Sequence, residues 1–244
     1  MIHTQEVIDE IVDWIKMKVI NANAKGLVFG LSGGIDSAVI AALSKKAFSE
    51  DSLGLIMPIH SDPRDEEHAL LVANALNLKT IKVDLGGTYD SFLKSTNSEY
   101  ENKLANANIK PRLRMTALYY FAQNNGYLVV GSSNRAEFEV GYFTKHGDSG
   151  SDLLPLGDFV KSEVIELAKA LEIPDIIINK PPSAGLWENQ TDEEEMGFGY
   201  DILDNYIKTG EGPEEIIKKI KRMNFISNHK REYPPIFKLS KVLE

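Results

Sequence analysis

The stretch Leu27-Val28-Phe29-Gly30-Leu31-Ser32-Gly33-Gly34-Ile35-Asp36-Ser37 constrains this chain more than any other. Residues 27–31 read as a buried strand, residues 37–48 as a helix, and the glycines between them as the turn that joins the two. Strand, tight turn and helix together form the repeating unit of a parallel sheet with helices on both faces. The alternation continues along the chain. Residues 53–57, 80–84 and 127–131 read as further strands. Helices are expected over 65–76, with Ala69, Val72, Ala73 and Leu76 inward, over 112–124, entered at Pro111, and at about 160–171. Ahead of the first strand, residues 5–22 form an amphipathic helix with Val7, Ile8, Ile11, Val12, Ile15, Val19 and Ile20 as its apolar stripe. Residues 86–108 are polar and read as a short-helix insertion able to move. A glycine-rich stretch covers 141–157, a Pro- and Gly-containing loop 180–191, and two helices, 200–208 and 214–227, close the chain. No internal repeat and no linker divides the sequence, so residues 1–244 are expected to form one doubly wound α/β domain.

Composition narrows the function classes. At 244 residues the chain can bury one full-sized core and is short for two. It has no cysteine, which removes disulfides, thiolate metal sites and cysteine nucleophiles together. Its net charge of −9 argues against a nucleic-acid partner, because phosphate backbones are held by surplus Lys and Arg. No run approaches the roughly eighteen uncharged apolar residues of a membrane span, and the N-terminus lacks a signal-like basic and apolar pair of regions. A cytoplasmic protein handling something small is expected. The histidines, His3, His60, His68, His146 and His229, show no metal-ligand spacing.

In doubly wound sheets, ligands bind beyond the carboxyl ends of the strands, where strand order reverses. The loop Gly30 to Ser37 has glycines that let backbone amides approach a phosphate, and a helix N-terminus facing the same anion. It is neither a kinase-type phosphate loop, which needs Gly-Lys-Ser/Thr, nor a dinucleotide fingerprint, whose glycines are spaced differently. It offers the hydroxyls of Ser32 and Ser37 and the carboxylate of Asp36. A carboxylate beside phosphate calls for a cation between them, most simply Mg²⁺. A plain strand-to-helix turn with an Asp in the first helical turn reads the same way, so the residue chemistry leaves both open.

Ser-Gly-Gly-x-Asp-Ser after a first strand is similar to the loop of the ATP pyrophosphatase superfamily, which splits ATP into AMP and pyrophosphate to activate a substrate. The fourth strand leads into Ser132-Ser133-Asn134-Arg135-Ala136-Glu137, and then Lys145 to Lys161 runs KHGDSGSDLLPLGDFVK. Together with the first loop, this resembles the NAD synthetases from about residue 26 to 185. His229-Lys230-Arg231 followed by Pro234-Pro235 resembles their C-terminal end.

The resemblance implies an adenine nucleotide alpha hydrolase-like fold and an ordered reaction. The nicotinate carboxylate of deamido-NAD⁺ attacks the α-phosphorus of ATP, and ammonia then displaces AMP to give NAD⁺. Carried over by residue, Gly30, Leu31, Ser32, Gly33, Gly34, Ile35, Asp36 and Ser37 cradle ATP, with Ser132 and Ser183 on the nucleotide. Asp36 and Glu137 hold Mg²⁺, and Lys161 stabilises phosphate charge. Arg112, Tyr142, Lys145, Asp152, His229 and Lys230 hold deamido-NAD⁺. Asp148 orients ammonium or takes its proton.

Ser132 and Ser183 stand where threonine is usual, which keeps the hydroxyl. Tyr142 stands where an aromatic, often Phe, stacks on nicotinate. Ser132 to Arg135 is closer to the glutamine-dependent version. Glutamine-dependent relatives carry an extra glutaminase domain with a cysteine nucleophile, so free ammonia is the expected direct substrate, with a separate glutaminase subunit left open. The family also implies a homodimer with Arg112 near the contact. Trp187 fits a lid or a packing role equally well. Thr191 with Glu194 reads as a capping box and is given no chemistry. Arg112 and Arg114 lie near a helix start, where the dipole disfavours cations, a hint of an anionic partner. The alternatives are a GMP synthetase-like amidating domain and a non-catalytic ATP-binding subunit.

Overall fold

The computed structural model describes residues 4–96, 102–182 and 191–238. Helix α1 (Thr4–Asn21) buries Ile8, Ile11, Val12, Ile15 and Val19 along one face. Ile20, expected in that stripe, is 69% exposed, because it lies about 100° around the helix from Val19. Next come β1 (Gly26–Gly30), α2 (Ile35–Ala47), β2 (Ser52–Ile56), α3 (Pro63–Ala75) and β3 (Lys79–Lys82). The polar insertion carries α4 (Gly86–Thr96) and α5 (Lys103–Ala107). Then follow α6 (Ile109–Asn125), β4 (Tyr127–Val130), α7 (Arg135–Val140), α8 (Lys161–Ala170) and α9 (Asp175–Ile178). The described chain closes with α10 (Asp192–Met196), α11 (Tyr200–Thr209) and α12 (Glu214–Ser227). Among the described residues no helix is long and apolar enough to cross a membrane.

All strand pairs are parallel, in the order β3-β2-β1-β4. Successive side chains of a strand point to opposite faces, and the central strand β1 shows it. Leu27 and Phe29 enter a core shared with α1, α2 and α8. Val28 enters a second core with Leu53, Leu55 and Val129, covered by Ala122, Leu118 and Phe121 of α6. Helices therefore cover both faces. Strands β2 and β3 lie to one side of β1 and β4 to the other, so the order reverses between β1 and β4. Their carboxyl ends open the crevice where ligands bind in such sheets.

Three local expectations are corrected. Helix α6 starts at Ile109, so Pro111 is its third residue; its missing amide still costs nothing, since first-turn amides lack helical partners. Helix α7 was not anticipated; Asn134 and Glu137 form its capping box. The glycine-rich stretch returns to the sheet, where the amide of Gly131 donates to the carbonyl of Leu153 at 2.9 Å.

Candidate active site

The loop after β1 is built around Gly33, which has φ +75. A Cβ there would lie 2.4 Å from the carbonyl oxygen of Asp65 and 2.8 Å from the Cβ of His68, so only glycine lets the loop pack on the start of α3. The Ser37 hydroxyl donates to the carbonyl of Gly34 at 2.9 Å and lies 3.1 Å from the hydroxyl oxygen of Ser32. Both hydroxyls thus face one cleft of about 920 Å³, which runs from this loop past the end of β4 to Lys230. Gly34 is the N-cap of α2 and brings no side-chain acceptor, so the helix N-terminus is presented to the cleft.

Asp36 is the hub of one wall. Its Oδ2 lies 2.5 Å from Lys161 Nζ, and its Oδ1 accepts from Asn134 Nδ2 at 3.0 Å. Lys161 is the first residue of α8, whose N-cap, Val160, has no side chain to cap with. Asp204 of α11 does this instead, accepting from the amides of Lys161 at 3.2 Å and Ser162 at 2.7 Å. The Lys161 ammonium also sits 5.3 Å over the Tyr200 ring. Burial pulls this ammonium down, but Asp36 and Glu137 outweigh it and hold the lysine above its ordinary value. Glu137 is placed by its capping box, with its Oε2 on the Asn134 amide at 3.2 Å. Burial, then the nearby Asp36 carboxylate, push Glu137 well above the usual glutamate range. Asp192 joins this wall, taking the Tyr200 hydroxyl at 3.0 Å, and Tyr142 donates to Glu195.

A second part of the lining is cationic. Arg112 donates to the carbonyl of Lys145 at 3.3 Å. Lys145 in turn donates to the carbonyl of His229, and Lys230 donates to those of Gly141 at 2.8 Å and Phe143 at 2.9 Å. Among the described residues none of these three cations has a carboxylate within ion-pair distance. Burial pushes the Lys230 ammonium down, partly countered by Asp148. Asp148 is open to water in the cleft yet ringed by protein atoms; that enclosure raises its pKa against the amide of Thr144, which donates to it at 2.9 Å.

The cleft brings together Gly30, Leu31, Ser32, Gly34, Ile35, Asp36 and Ser37 with Ser132, Glu137 and Lys161. It also takes in Arg112, Tyr142, Lys145, Asp148, His229 and Lys230. Gly33 serves from behind, packed on α3. Asp152 is not in the wall: its Oδ2 accepts from the Val129 amide at 2.8 Å and its Oδ1 from the Tyr119 hydroxyl at 3.1 Å. Ser183 and Trp187 lie outside the described residues.

Sequence reasoning gave no role in the site to Asn134, Asp192, Glu195 or Lys180, all of which structure it. Thr191 caps α10 by accepting from the Glu194 amide at 3.4 Å, one of the two bonds of the expected capping box, and the acidic run fills its first turn. That local explanation hid the fact that Asp192 and Glu195 face the cleft. Arg114, noted only for the helix dipole, also lines it, bonded to the carbonyl of Met57 at 3.0 Å.

The NAD synthase family model matches residues 7–234. The NH(3)-dependent NAD(+) synthetase of Carboxydothermus hydrogenoformans is 54% identical over 238 residues, 96% of this chain and 98% of that protein. Its counterpart in Methanocaldococcus jannaschii is 45% identical, covering 95% of this chain and 96% of that one. Two solved structures are also similar. NMN synthetase from Francisella tularensis matches with a TM-score of 0.94 at 36% identity, over 98% of this chain and 100% of that one. NH3-dependent NAD synthetase from Campylobacter jejuni matches with a TM-score of 0.82 at 31% identity, with the same coverage. With a glycine-loop cleft at the strand-order reversal, a family model matching residues 7–234 and relatives similar along nearly their whole length, the chain belongs to the NAD synthase family.

Proposed function

We propose that this chain converts deamido-NAD⁺ to NAD⁺ with ATP and ammonia, releasing AMP and pyrophosphate, and that residues 1–244 act as one catalytic domain. The observation that carries the reading is that one cleft is lined both by a carboxylate cluster at the glycine loop, Asp36, Glu137 and Asp192, and by the cations Arg112, Lys145 and Lys230. The first suits a metal–nucleotide, the second an anionic dinucleotide. The nicotinate oxygen bonds to the α-phosphorus while the bond from that phosphorus to the bridging oxygen breaks, and pyrophosphate leaves. Ammonia then bonds to the activated carbonyl carbon, the carbon–oxygen bond to AMP breaks, and the nitrogen loses a proton.

Such chemistry needs positioning and charge neutralisation more than covalent help. The loop amides, Ser32, Ser37, Ser132 and Ser183 hold ATP, and Lys161 meets its phosphate charge. Arg112, Lys145, His229, Lys230 and the Tyr142 ring hold the dinucleotide, together with Asp152, whose carboxylate is anchored on the Val129 amide of β4. Asp148, with its raised pKa, orients ammonium or takes its proton.

Asp36 and Glu137 fit Mg²⁺. Both are hard oxygen donors, and among the described residues no three His, Asp or Glu side chains form a complete cage. Mg²⁺ favours one or two carboxylates supplemented by phosphate oxygens and water. When bound, it neutralises phosphate charge and relieves the repulsion between these two carboxylates.

Incubation with deamido-NAD⁺, Mg·ATP and an ammonium salt should yield NAD⁺, AMP and pyrophosphate in equal amounts. ADP and phosphate as products would sink the reading. A second reading, amidation of nicotinate mononucleotide, is favoured by the likeness to the Francisella NMN synthetase. It predicts a higher kcat/KM for the mononucleotide than for deamido-NAD⁺ in the same assay.

We also read the working unit as a cytoplasmic homodimer. Support comes from α6, which carries Arg112 and leaves Tyr120 65% exposed. Twofold pairing is the commonest assembly of soluble chains. Light scattering at micromolar concentration should give twice the chain mass; a fully active monomer would refute the dimer.

A further inference from the structure

The glycine loop contains no lysine, yet two ammonium groups reach it from distant elements. Lys161 meets Asp36. Lys180 lies two residues past α9: its Nζ lies 2.7 Å from Asp65 Oδ1 and donates to the carbonyl of Gly33 at 3.3 Å. We propose that Lys180 is a positioning residue for the ATP half of the reaction, holding the Gly33–Gly34 peptide so that the Gly34 amide faces a phosphate. The inference rests on the ATP-dependent reading above.

The geometry follows from the peptide unit. A trans peptide is planar, and its C=O and N–H point in opposite directions. With the Gly33 carbonyl turned to Lys180, the Gly34 N–H points the other way, toward the Ser32 hydroxyl oxygen at 3.3 Å. Ser32, Gly34 and Ser37 line the cleft here, and Lys180 and Asp65 line the same cleft, so the ammonium fixes this peptide from within the site. The flanking residues are both glycine, so no Cβ resists turning this peptide over. The composition that lets the loop approach a phosphate therefore also leaves its central amide free to point away. A donor on the Gly33 carbonyl removes that freedom, and Asp65, in the first turn of α3, keeps the ammonium where the carbonyl can use it.

The test measures pyrophosphate release by the full chain, with K180M and K180R compared to the wild type. K180M keeps the apolar stem and loses the donor. It should lower kcat roughly 10- to 100-fold and raise the KM for ATP, with the KM for deamido-NAD⁺ unchanged to within about twofold. K180R should recover most of the loss. Wild-type values in K180M overturn the inference, as does a loss shared equally by both substrates' KM. Where K180M fails to fold, the wild type decides: the ¹⁵N-glycine amide signal of Gly34 should move downfield on adding Mg²⁺ and α,β-methylene-ATP, and an unmoved signal overturns the inference. Absence of pyrophosphate release by the wild type itself defeats the ATP-dependent reading, a different failure from an unmoved Gly34 signal.

Discussion

Replacing Asp36 by Asn, or Glu137 by Gln, should cut formation of AMP and pyrophosphate by about 10³-fold or more, because each removes one carboxylate from the proposed Mg²⁺ site. The two variants should then part company in stability. The Lys161 side chain is 5% exposed and that of Asp36 18%, so D36N strands a buried ammonium. Breaking a buried pair costs about 3–5 kcal/mol, and the low end is expected here because Glu137 still faces the lysine. D36N should melt lower than the wild type.

E137Q should do the opposite in the presence of EDTA. Burial and the facing Asp36 raise the Glu137 pKa, so the folded chain keeps a proton that the unfolded chain has released. Wild-type stability therefore falls as pH rises from the ordinary glutamate value toward the raised one, while glutamine does not titrate. The advantage of E137Q should be absent in acid and grow toward neutral pH, read by thermal denaturation. Near-normal turnover by either variant would show the metal site misplaced, whatever the melting curves do.

Nitrogen supply should be all-or-none for the isolated chain. Releasing ammonia from glutamine needs an activated nucleophile, a cysteine thiolate in the glutamine-dependent relatives, and these 244 residues contain no cysteine. Turnover is expected with ammonium and nothing above background with ammonia-free glutamine. The rate at fixed total ammonium should climb with pH as ammonium yields ammonia, since only the neutral form has a lone pair for the carbonyl carbon. NAD⁺ formed from glutamine alone would overturn the claim and leave the synthetase reading standing.

Most of the architecture was legible in the sequence. Strands at residues 27–31 and 53–57 were placed within one residue of β1 and β2, because an apolar run bounded by turn residues depends only on near neighbours. The ends of α6 and α7 were less legible. A helix start is decided by which amides find acceptors, and Asn134 with Glu137 looks like ordinary polar sequence until both bonds of its capping box are seen.

The sequence by itself determined the alternation of strands and helices, the glycine loop and the family to which its motifs belong, since each is written in residues a few positions apart. Only the tertiary structure decided which charges meet. Asn134 reaches Asp36 across 98 positions and Lys180 reaches Asp65 across 115, because the strand order sets β4 beside β1 and brings the segment after α9 over the loop. Asp152 shows the same dependence: its carboxylate meets the Val129 amide across 23 positions and the Tyr119 hydroxyl across 33. Periodicity is a local property of a chain, whereas an ion pair belongs to two segments whose proximity exists only once the sheet has formed.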